Sequence, residues 1–334
     1  MGVNNLNLVR LLEKLAYIIN KNKDFLLVTH TYPDGDALGS LVALYELICR
    51  LKKNAIMVCV GDIPYQYKFL PSINKIKTSL DNINDIDKKY ITICLDSADE
   101  NRMDININRI KEKSLEVINI DHHMSNTKFG NINIIGPEKS ATAEILYELI
   151  DRNFKNYLNY NIAIGIYTGI LTDTGKFQYS STSSNVHRII SELLKYGIKS
   201  SKVFSSIYEN EPMNRFKLIK LILERIKLVK SKKLIYSYIL QYDFEKLNLS
   251  FSSQDGLIEL LRSAKDAEIA ALFKQTLNDS FKVSLRSSSS NYNVAKIARL
   301  FGGGGHSMAS AYVQKGKLND IILGLVDAVK RSND

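Results

Sequence analysis

The chain has 334 residues, of which 45% are hydrophobic, and its formal net charge is +10 at pH 7. This length suits about two domains of ordinary size, and the hydrophobic content is sufficient for packed cores. No run approaches the roughly 18 uninterrupted apolar residues of a membrane span, and the start of the chain lacks a basic-then-apolar signal pattern. We therefore expect a cytoplasmic protein that does not enter a membrane.

Cysteine usage and charge add two further expectations. Cys49, Cys59 and Cys94 stand far apart in apolar stretches, which predicts reduced core thiols and argues against disulfide bridges or a zinc site. Residues 1–210 carry 25 Lys/Arg against 23 Asp/Glu, whereas residues 211–334 carry 20 against 12. The positive second part fits either attraction for phosphate groups or a solvated helix over 211–233.

Residue periodicity in the first part alternates between helix and strand. Apolar groups recur at helical spacing over residues 7–20 and 37–52. Short apolar or β-branched runs predict strands at 25–29, 55–60, 91–95, 115–120 and 131–135. The alternation predicts an α/β fold with a mostly parallel sheet flanked by helices.

The second part has a different pattern. Helical spacing dominates residues 140–230, with Glu211-Pro212 as the predicted start of a connecting helix. Alternating runs then predict further strands at 233–241, 267–275, 280–286 and 309–314. We expect a smaller second α/β domain joined to the first by helices.

Acidic residues and histidines follow three of the predicted strands. They form the strings His30-Thr-Tyr-Pro-Asp34-Gly-Asp36 and Asp121-His122-His123, with a single Asp96 between them. In an open α/β sheet, ligands bind beyond the carboxyl ends of the parallel strands. We therefore expect these groups to meet at one point.

The first string has the composition of a metal site. Pro33 and Gly35 predict a sharp turn, because Pro33 fixes one backbone angle and Gly35 permits a positive φ. One imidazole and two carboxylates, from His30, Asp34 and Asp36, suit Mn²⁺ or a similar ion. Taken alone, Asp36 would be assigned as the N-cap of a helix that begins at Ala37. Together with the other two residues it is favoured as a ligand.

Asp96 and the two adjacent histidines extend this hypothesis to two metals. A single carboxylate at a strand end is more often a turn or cap residue, but a second metal needs a shared ligand, and Asp96 is the natural bridge. Two ions about 3.5 to 4 Å apart can activate water and stabilise the leaving oxygen of a phosphoryl group. His122 and His123 point in different directions, so one can bind a metal while the other contacts substrate.

The order of the motifs resembles the DHH phosphoesterase superfamily. The resemblance rests on His-x-x-Pro-Asp-Gly-Asp-Ala-Leu-Gly-Ser at 30–40, Asp96, Asp-His-His at 121–123 and Asp-Thr-Gly-x-Phe at 173–177. Ser-Leu-Arg-Ser at 284–287 and Gly-Gly-Gly-Gly-His at 302–306 resemble the accompanying DHHA1 domain. Within the superfamily, the chain resembles the short bacterial oligoribonucleases that also dephosphorylate 3′-phosphoadenosine 5′-phosphate (pAp).

This resemblance implies roles for the first domain. Two ions are expected, with Mn²⁺ favoured and Mg²⁺ or Co²⁺ as alternatives. One ion would be held by His30, Asp34 and Asp96, and the other by Asp36, Asp96, His122 and Asp173. His123 would lie beside the scissile phosphate, and Asp121 would steady the pair of histidines. The Asp173 assignment comes from the resemblance alone, since Asp-Thr-Gly is otherwise an ordinary helix-ending turn.

The C-terminal motifs imply substrate binding. The backbone of Gly302, Gly303, Gly304 and Gly305 would approach a phosphate closely, and Arg286 would grip a second one. His306 would lie at the edge of this loop, and Arg262 is a weaker candidate for the same surface. If the motifs of the first domain were absent, the glycines would be assigned to a flexible turn and Arg286 to a solvated strand end. The implied division is a DHH catalytic domain at 1–190, a helical linker at 191–232 and a DHHA1 substrate-binding domain at 233–334.

We therefore expect a Mn²⁺-dependent phosphoesterase that degrades very short single-stranded RNA to mononucleotides and converts pAp to AMP, with a homodimer as one possible assembly. The main alternative is hydrolysis of cyclic di-AMP or of its linear product pApA. An inorganic pyrophosphatase is disfavoured because such relatives lack the glycine-rich histidine motif. A hypothesis from another class is a non-catalytic nucleotide sensor, which should have gaps among its ligands, whereas every expected ligand type is present here.

Overall fold

The computed structural model of the chain describes residues 3–79, 89–105, 107–249, 256–276 and 279–331. The chain forms two compact units, Met1–Asn210 and Glu211–Asp334. Their boundary falls within residues 191–232, the predicted linker, whose own limits stay a prediction. Among the residues described, no helix combines the length and apolar character needed to cross a membrane.

The first unit contains a five-stranded sheet in the order β2-β1-β3-β4-β5, and every pairing is parallel. Its strands are β1 (Asp24–Thr29), β2 (Asn54–Val58), β3 (Tyr90–Leu95), β4 (Ser114–Asp121) and β5 (Ile132–Ile135). The central strand β3 is buried along its whole length, as expected when both faces of a parallel sheet are covered. The predicted parallel sheet is confirmed.

Helices surround this sheet. They are α1 (Val3–Lys21), α2 (Gly35–Arg50), α3 (Ile107–Lys113), α4 (Thr142–Asn153), α5 (Tyr160–Asp173), α6 (Ser184–Leu194) and α7 (Ser200–Tyr208). Short 3₁₀ turns lie at Tyr65–Tyr67, Ile73–Lys75, Glu100–Met103 and Lys155–Tyr157. Helix α2 is buried over most of its surface and belongs to the largest apolar core of the unit.

Glycines allow α2 and α5 to cross at very short range. A Cβ on Gly39 would lie 2.3 Å from the carbonyl oxygen of Gly165, and one on Gly169 would lie 2.5 Å from Oδ1 of Asp36. Only residues without a side chain permit this approach. The contact places the first turn of α2 beside the last turn of α5, so Asp36 and Asp173 come to the same edge of the unit.

The turn after β1 differs from the sequence-based interpretation at Gly35, and its geometry excludes the alternative assignment of Asp36 as a helix cap. Gly35 lies inside α2 without a positive φ, and it is required because a Cβ there would lie 2.4 Å from Cγ2 of Thr172. The residue of this turn with a positive φ is Tyr32, at 52°. The N-cap of α2 is Asp34, whose Oδ1 accepts the N–H groups of Asp36 and Ala37 at 3.0 Å each. Asp36 therefore does not cap its own helix.

The second unit contains a six-stranded mixed sheet in the order β10-β11-β9-β8-β7-β6, with β7 and β8 as its parallel pair. Its strands are β6 (Lys227–Val229), β7 (Leu234–Ile239), β8 (Ile269–Gln275), β9 (Ser280–Ser287), β10 (Gly304–His306) and β11 (Ala309–Lys315). Its helices are α8 (Met213–Glu224), α9 (Gln241–Leu247), α10 (Leu257–Arg262), α11 (Val294–Arg299) and α12 (Leu318–Arg331). The second α/β domain is confirmed.

Each face of the second sheet has its own apolar core. Leu234, Phe273 and Leu285 pack with α11 and α12, whereas Ile235 and Leu272 pack with α8, α9 and α10. Burial of the three cysteines differs from the expectation in one case. All three are free, but Cys49 is exposed and only Cys59 and Cys94 are buried.

Candidate functional site

The predicted metal ligands meet at one edge of the first sheet, beyond the carboxyl ends of β1, β3 and β4. The structure brings their ligand atoms into three groups, and within each group all atoms lie within 4.8 Å of one another. These groups are His30, Asp34 and Asp96; Asp36, His122 and Asp173; and Asp96, His122 and His123. Every residue expected to hold a metal therefore belongs to a group.

Asp96 lies at the centre of the cluster and is 1% exposed. Its Oδ2 is 3.6 Å from Nε2 of His30, while its Oδ1 is 3.7 Å from both Nε2 of His122 and Nδ1 of His123. The hydroxyl of Thr142 donates to the same Oδ1 at 3.0 Å. Asp96 also has a positive φ of 56°, a conformation that persists only where surrounding contacts impose it.

Asp36 is held by a helix that begins 106 residues later in the chain. The N–H of Thr142 donates to its Oδ2 at 2.6 Å, and the N–H of Ala143 donates to its Oδ1 at 2.9 Å. These groups form the first turn of α4, where the helix dipole favours a negative charge. The hydroxyl of Ser40 also donates to Oδ1, at 3.2 Å, whereas Oδ2 has a second lone pair with which Asp36 can bind a cation.

Backbone carbonyls set the orientation of two histidines. Nδ1 of His30 lies 2.8 Å from the carbonyl of Thr31, and Nδ1 of His122 lies 3.4 Å from that of Lys139. Because a carbonyl only accepts, Nδ1 must carry the proton and Nε2 faces the carboxylates. Nε2 of His122 is buried without a hydrogen bond of good geometry to any described residue, although Oδ2 of Asp173 is 3.0 Å away. Such a nitrogen suits a metal ligand.

The pKa values of the cluster also favour a metal site. Burial and the neighbouring carboxylates raise the pKa of Asp36 well above its ordinary value, and burial raises the pKa of Asp173 to about 6. Burial alone would lower the pKa of His122, but Asp173 and the other carboxylates raise it to about 11. The metal-free cluster thus retains protons among crowded acids, where a divalent cation can replace them.

His123 is fixed by a hydrogen-bonded chain of side chains. Its Nδ1 lies 2.7 Å from Oδ1 of the buried Asp121, whose Oδ2 accepts from Nδ2 of Asn126 at 2.6 Å. Asn126 also donates to Oδ1 of Asn119 at 2.7 Å and to the carbonyl of Ser97 at 3.2 Å. With Nδ1 occupied, Nε2 is the nitrogen of His123 that can reach a substrate.

Three groups of the site were not predicted from the sequence: the side chains of Asn126 and Thr142 and the carbonyl of Lys139. A pattern that could have indicated the last two is Ser-Ala-Thr before a helix, after a strand that ends at the same sheet edge. Asn126 lies in an irregular loop that offers no such pattern. His187 is exposed, belongs to none of the three groups, and has its ring centroid 5.6 Å from that of Phe177.

In the second unit, Glu259 connects the two predicted arginines, Arg262 and Arg286. Glu259 was not predicted from the sequence. Nε of Arg286 donates to Oε1 of Glu259 at 2.8 Å, and Nε of Arg262 donates to Oε2 at 2.5 Å. Across the sheet, His306 is opposite Ala309, and Ala309 is opposite Arg286. Residues directly opposite in antiparallel strands share a face, so His306 and Arg286 lie on one side of the sheet.

The glycines at 302–305 differ in their surroundings. A Cβ on Gly303 would lie 2.3 Å from the carbonyl oxygen of Ala311, and Gly305 has a φ of 138° beside Ser310. These two glycines are therefore required by the packing of the loop against β11. A Cβ on Gly304 would instead point into open space, with no atom of the described residues within 4 Å, so the exposed backbone there can accept a close ligand.

Comparison with known proteins gives similarity over most of the chain. Residues 24–170 match the family described as "DHH family, N-terminal domain", and residues 231–330 match the DHHA1 domain. The bifunctional oligoribonuclease and PAP phosphatase NrnA of Thermus thermophilus is 31% identical over 290 residues, which cover 87% of this chain and 84% of that protein. The protein of the same name from Bacillus subtilis is 27% identical over 302 residues, covering 89% and 91%. A crystal structure of an exopolyphosphatase-related protein from Bacteroides fragilis has a TM-score of 0.88 at 25% identity, covering 97% and 96%.

Proposed function

This chain belongs to the DHH family of metal-dependent phosphodiesterases and phosphatases, and from that premise we propose that it degrades very short RNA to mononucleotides and dephosphorylates pAp. The observation that carries the proposal is the cluster of carboxylates and histidines centred on Asp96. The names of the relatives from Thermus thermophilus and Bacillus subtilis support the choice of substrates.

We assign two Mn²⁺ ions to the cluster. His30, Asp34 and Asp96 would hold one ion, and Asp36, Asp96, His122 and Asp173 the other. Mixed imidazole and carboxylate sets suit Mn²⁺, with Mg²⁺ or Co²⁺ as alternatives. Bound ions would supply Lewis acidity, which lowers the pKa of water and neutralises phosphoryl oxygens.

The protein's own groups orient and stabilise the reacting phosphate. Burial lowers the pKa of His123, but Asp121 and Asp96 outweigh it and raise the pKa above its ordinary value. The protonated ring donates from Nε2 to a phosphoryl oxygen, where negative charge grows in the transition state. Asp121 and Asn126 keep that nitrogen directed outward, so the donor does not have to reorganise during the reaction.

The second unit would bind a phosphate of the substrate other than the one being cleaved. Arg262 and Arg286 both donate to the carboxylate of Glu259, which holds the two guanidinium groups beside each other. Planar guanidinium groups bind phosphate oxygens in pairs. We include His306 and the backbone of Gly303, Gly304 and Gly305 in the same binding surface.

A product assay tests this proposal. Purified protein with Mn²⁺ is given, in separate reactions, pAp, RNA of two to five nucleotides, pApA and cyclic di-AMP. We expect AMP from pAp and mononucleotides from the short RNAs, with all turnover abolished by EDTA. Dominant hydrolysis of cyclic di-AMP would replace the proposal with the cyclic dinucleotide alternative, and binding without any product would support a sensor.

A further inference from the structure

The two most exposed large apolar side chains among the described residues both adjoin the metal cluster. Tyr32 is 76% exposed and Met124 is 75% exposed. Tyr32 follows the ligand His30 by two residues, and Met124 directly follows His123. Isolated exposed apolar residues are common on proteins, so exposure alone would not indicate a role. A role is indicated by the position of this pair beside the cluster and by the fixed loops that carry it.

The loop that carries Tyr32 is fixed on both sides. The N–H and hydroxyl of Thr31 both donate to the carbonyl of Arg102, at 2.8 and 3.0 Å, and Asp34 caps α2. Tyr32 itself has a φ of 52°, which is unfavourable for a bulky residue. The fold therefore holds an aromatic ring in solvent at an energetic cost, a feature that concentrates at functional sites.

The loop that carries Met124 is also held in place. The N–H of Asn126 donates to the carbonyl of His123 at 3.2 Å and closes a turn around Met124. The side chain of Asn126 then ties this turn to Asp121 and Asn119 at the end of β4. A ligand that contacts Met124 therefore does not have to order the loop.

The sheet order places the two residues on either side of the cluster. Tyr32 follows β1 and Met124 follows β4, while β3, which ends next to Asp96, lies between these strands. Strands two positions apart in a sheet are separated by roughly 10 Å. Loops that follow strands at this separation can reach the two opposite faces of one base.

We propose that Tyr32 and Met124 form a nucleobase subsite, in which a base of the substrate stacks on the ring of Tyr32 and Met124 contacts it from the other side. This inference rests on the proposed function and specifies how that site binds the substrate. Stacking on an aromatic ring accepts any base because each has a π-face, and the flexible thioether of methionine adapts to different bases. The subsite therefore suits short RNA of any sequence as well as pAp.

The test compares substrates with and without a base. KM and kcat are measured with Mn²⁺ for pAp and for ribose 3,5-bisphosphate, which has no adenine, using Y32A, Y32F, M124A and the control Y17A. Tyr17 is also an exposed tyrosine of the first unit, at 57%, but it lies on α1. We expect Y32A to raise KM for pAp by roughly five- to a hundredfold, the usual range for loss of a stacked base, with a smaller rise for M124A. Y32F and Y17A should resemble the wild type.

The base-free substrate decides the interpretation. Y32A should leave its KM unchanged, and saturation-transfer NMR should show weaker contact of adenosine with Y32A than with Y32F. Equal rises of KM for both substrates, or no rise for pAp, would overturn the subsite while leaving the proposed function intact. If the wild type hydrolyses neither substrate and no short RNA, the proposed function fails and the subsite fails with it.

Discussion

The two candidate binding regions differ in how firmly the fold holds them. In the first unit, Asp36, Asp96 and Asp121 are at most 1% exposed, and each carboxylate has hydrogen-bond partners from other elements. In the second unit, the side chains of Arg262 and Arg286 are 32% and 31% exposed, and both donate to Glu259, which is itself 28% exposed. Buried charges persist only when they are paired, so the first region is fixed by the fold and the second by a few surface contacts.

This contrast has a functional meaning. Groups that act on the reacting phosphate must be in place before the substrate arrives, because reorganisation costs transition-state stabilisation. Groups that only hold a remote phosphate can adjust on binding. We therefore expect single substitutions in the first region to reduce kcat strongly and those in the second to raise KM modestly.

The largest effect should follow removal of the shared ligand. D96A and H122A each delete a group that lies close to several others in the cluster. The rate of hydrolysis of pAp and short RNA should therefore fall by more than the roughly 10- to 100-fold that is typical when a residue hydrogen-bonded to a metal ligand is removed. The measurement is kcat/KM at saturating Mn²⁺. D151A is the control, because Asp151, near the end of α4, forms an ion pair with Lys155 and belongs to none of the three groups. Full activity of either ligand variant would refute the metal assignment.

A smaller effect should follow loss of Asn126, which touches no ligand directly. N126A removes the hydrogen bond to Oδ2 of Asp121, so kcat should fall roughly 10- to 100-fold while the affinity for Mn²⁺, measured by calorimetry, stays the same. N133A is the matched control, since Asn133 makes two hydrogen bonds to Gly130 in the same segment but none to Asp121. Equal losses of kcat in both variants would mean that Asn126 only stabilises the loop.

The extent to which the sequence predicts this arrangement also differs between residues. His30, Asp96 and Asp121 follow apolar runs that are recognisable as strands, so their convergence follows from the rules for parallel sheets. The local pattern was misleading for Asp36, because the helix begins two residues earlier than periodicity indicates and the cap is Asp34.

Long-range contacts account for what the sequence did not reveal. Asp36 is held by the N–H of Thr142, 106 residues away, and Gly35 is required by the side chain of Thr172. Such contacts depend on how α2, α4 and α5 pack, which no local spacing encodes. Glu259 was missed for the same reason, since it meets Arg286 from a different element.

The two regions should also differ in their response to pH. In the metal-free protein His122, with a pKa of about 11, is protonated at neutral pH, so binding of Mn²⁺ must release that proton. The apparent affinity for Mn²⁺ should therefore rise with pH, and more steeply below about pH 6, where Asp173 is protonated as well. Acidic conditions thus favour the metal-free protein.

Calorimetric titrations with Mn²⁺ at pH 5.5, 6.5 and 7.5 measure this slope. The contribution of Arg262 and Arg286 to substrate affinity does not depend on exchanging a proton for a metal, so it should not show this pH dependence. An affinity for Mn²⁺ that is independent of pH would show that His122 does not exchange its proton for a metal.

The smallest effect should follow substitution of two adjacent glycines, Gly303 and Gly304. Comparing the two variants distinguishes a role in packing from a role in phosphate binding. In G303A the new Cβ would overlap the carbonyl of Ala311 and the side chain of Tyr312, so the melting temperature should fall. In G304A the Cβ enters open space, so the melting temperature should stay the same. If the backbone at Gly304 binds a phosphate, KM for pAp should rise by about fivefold, the net value of roughly one hydrogen bond, without a change in kcat. An unchanged KM in G304A would assign the glycines to the packing of β10 on β11 alone, and phosphate binding would then rest on the two arginines that share Glu259.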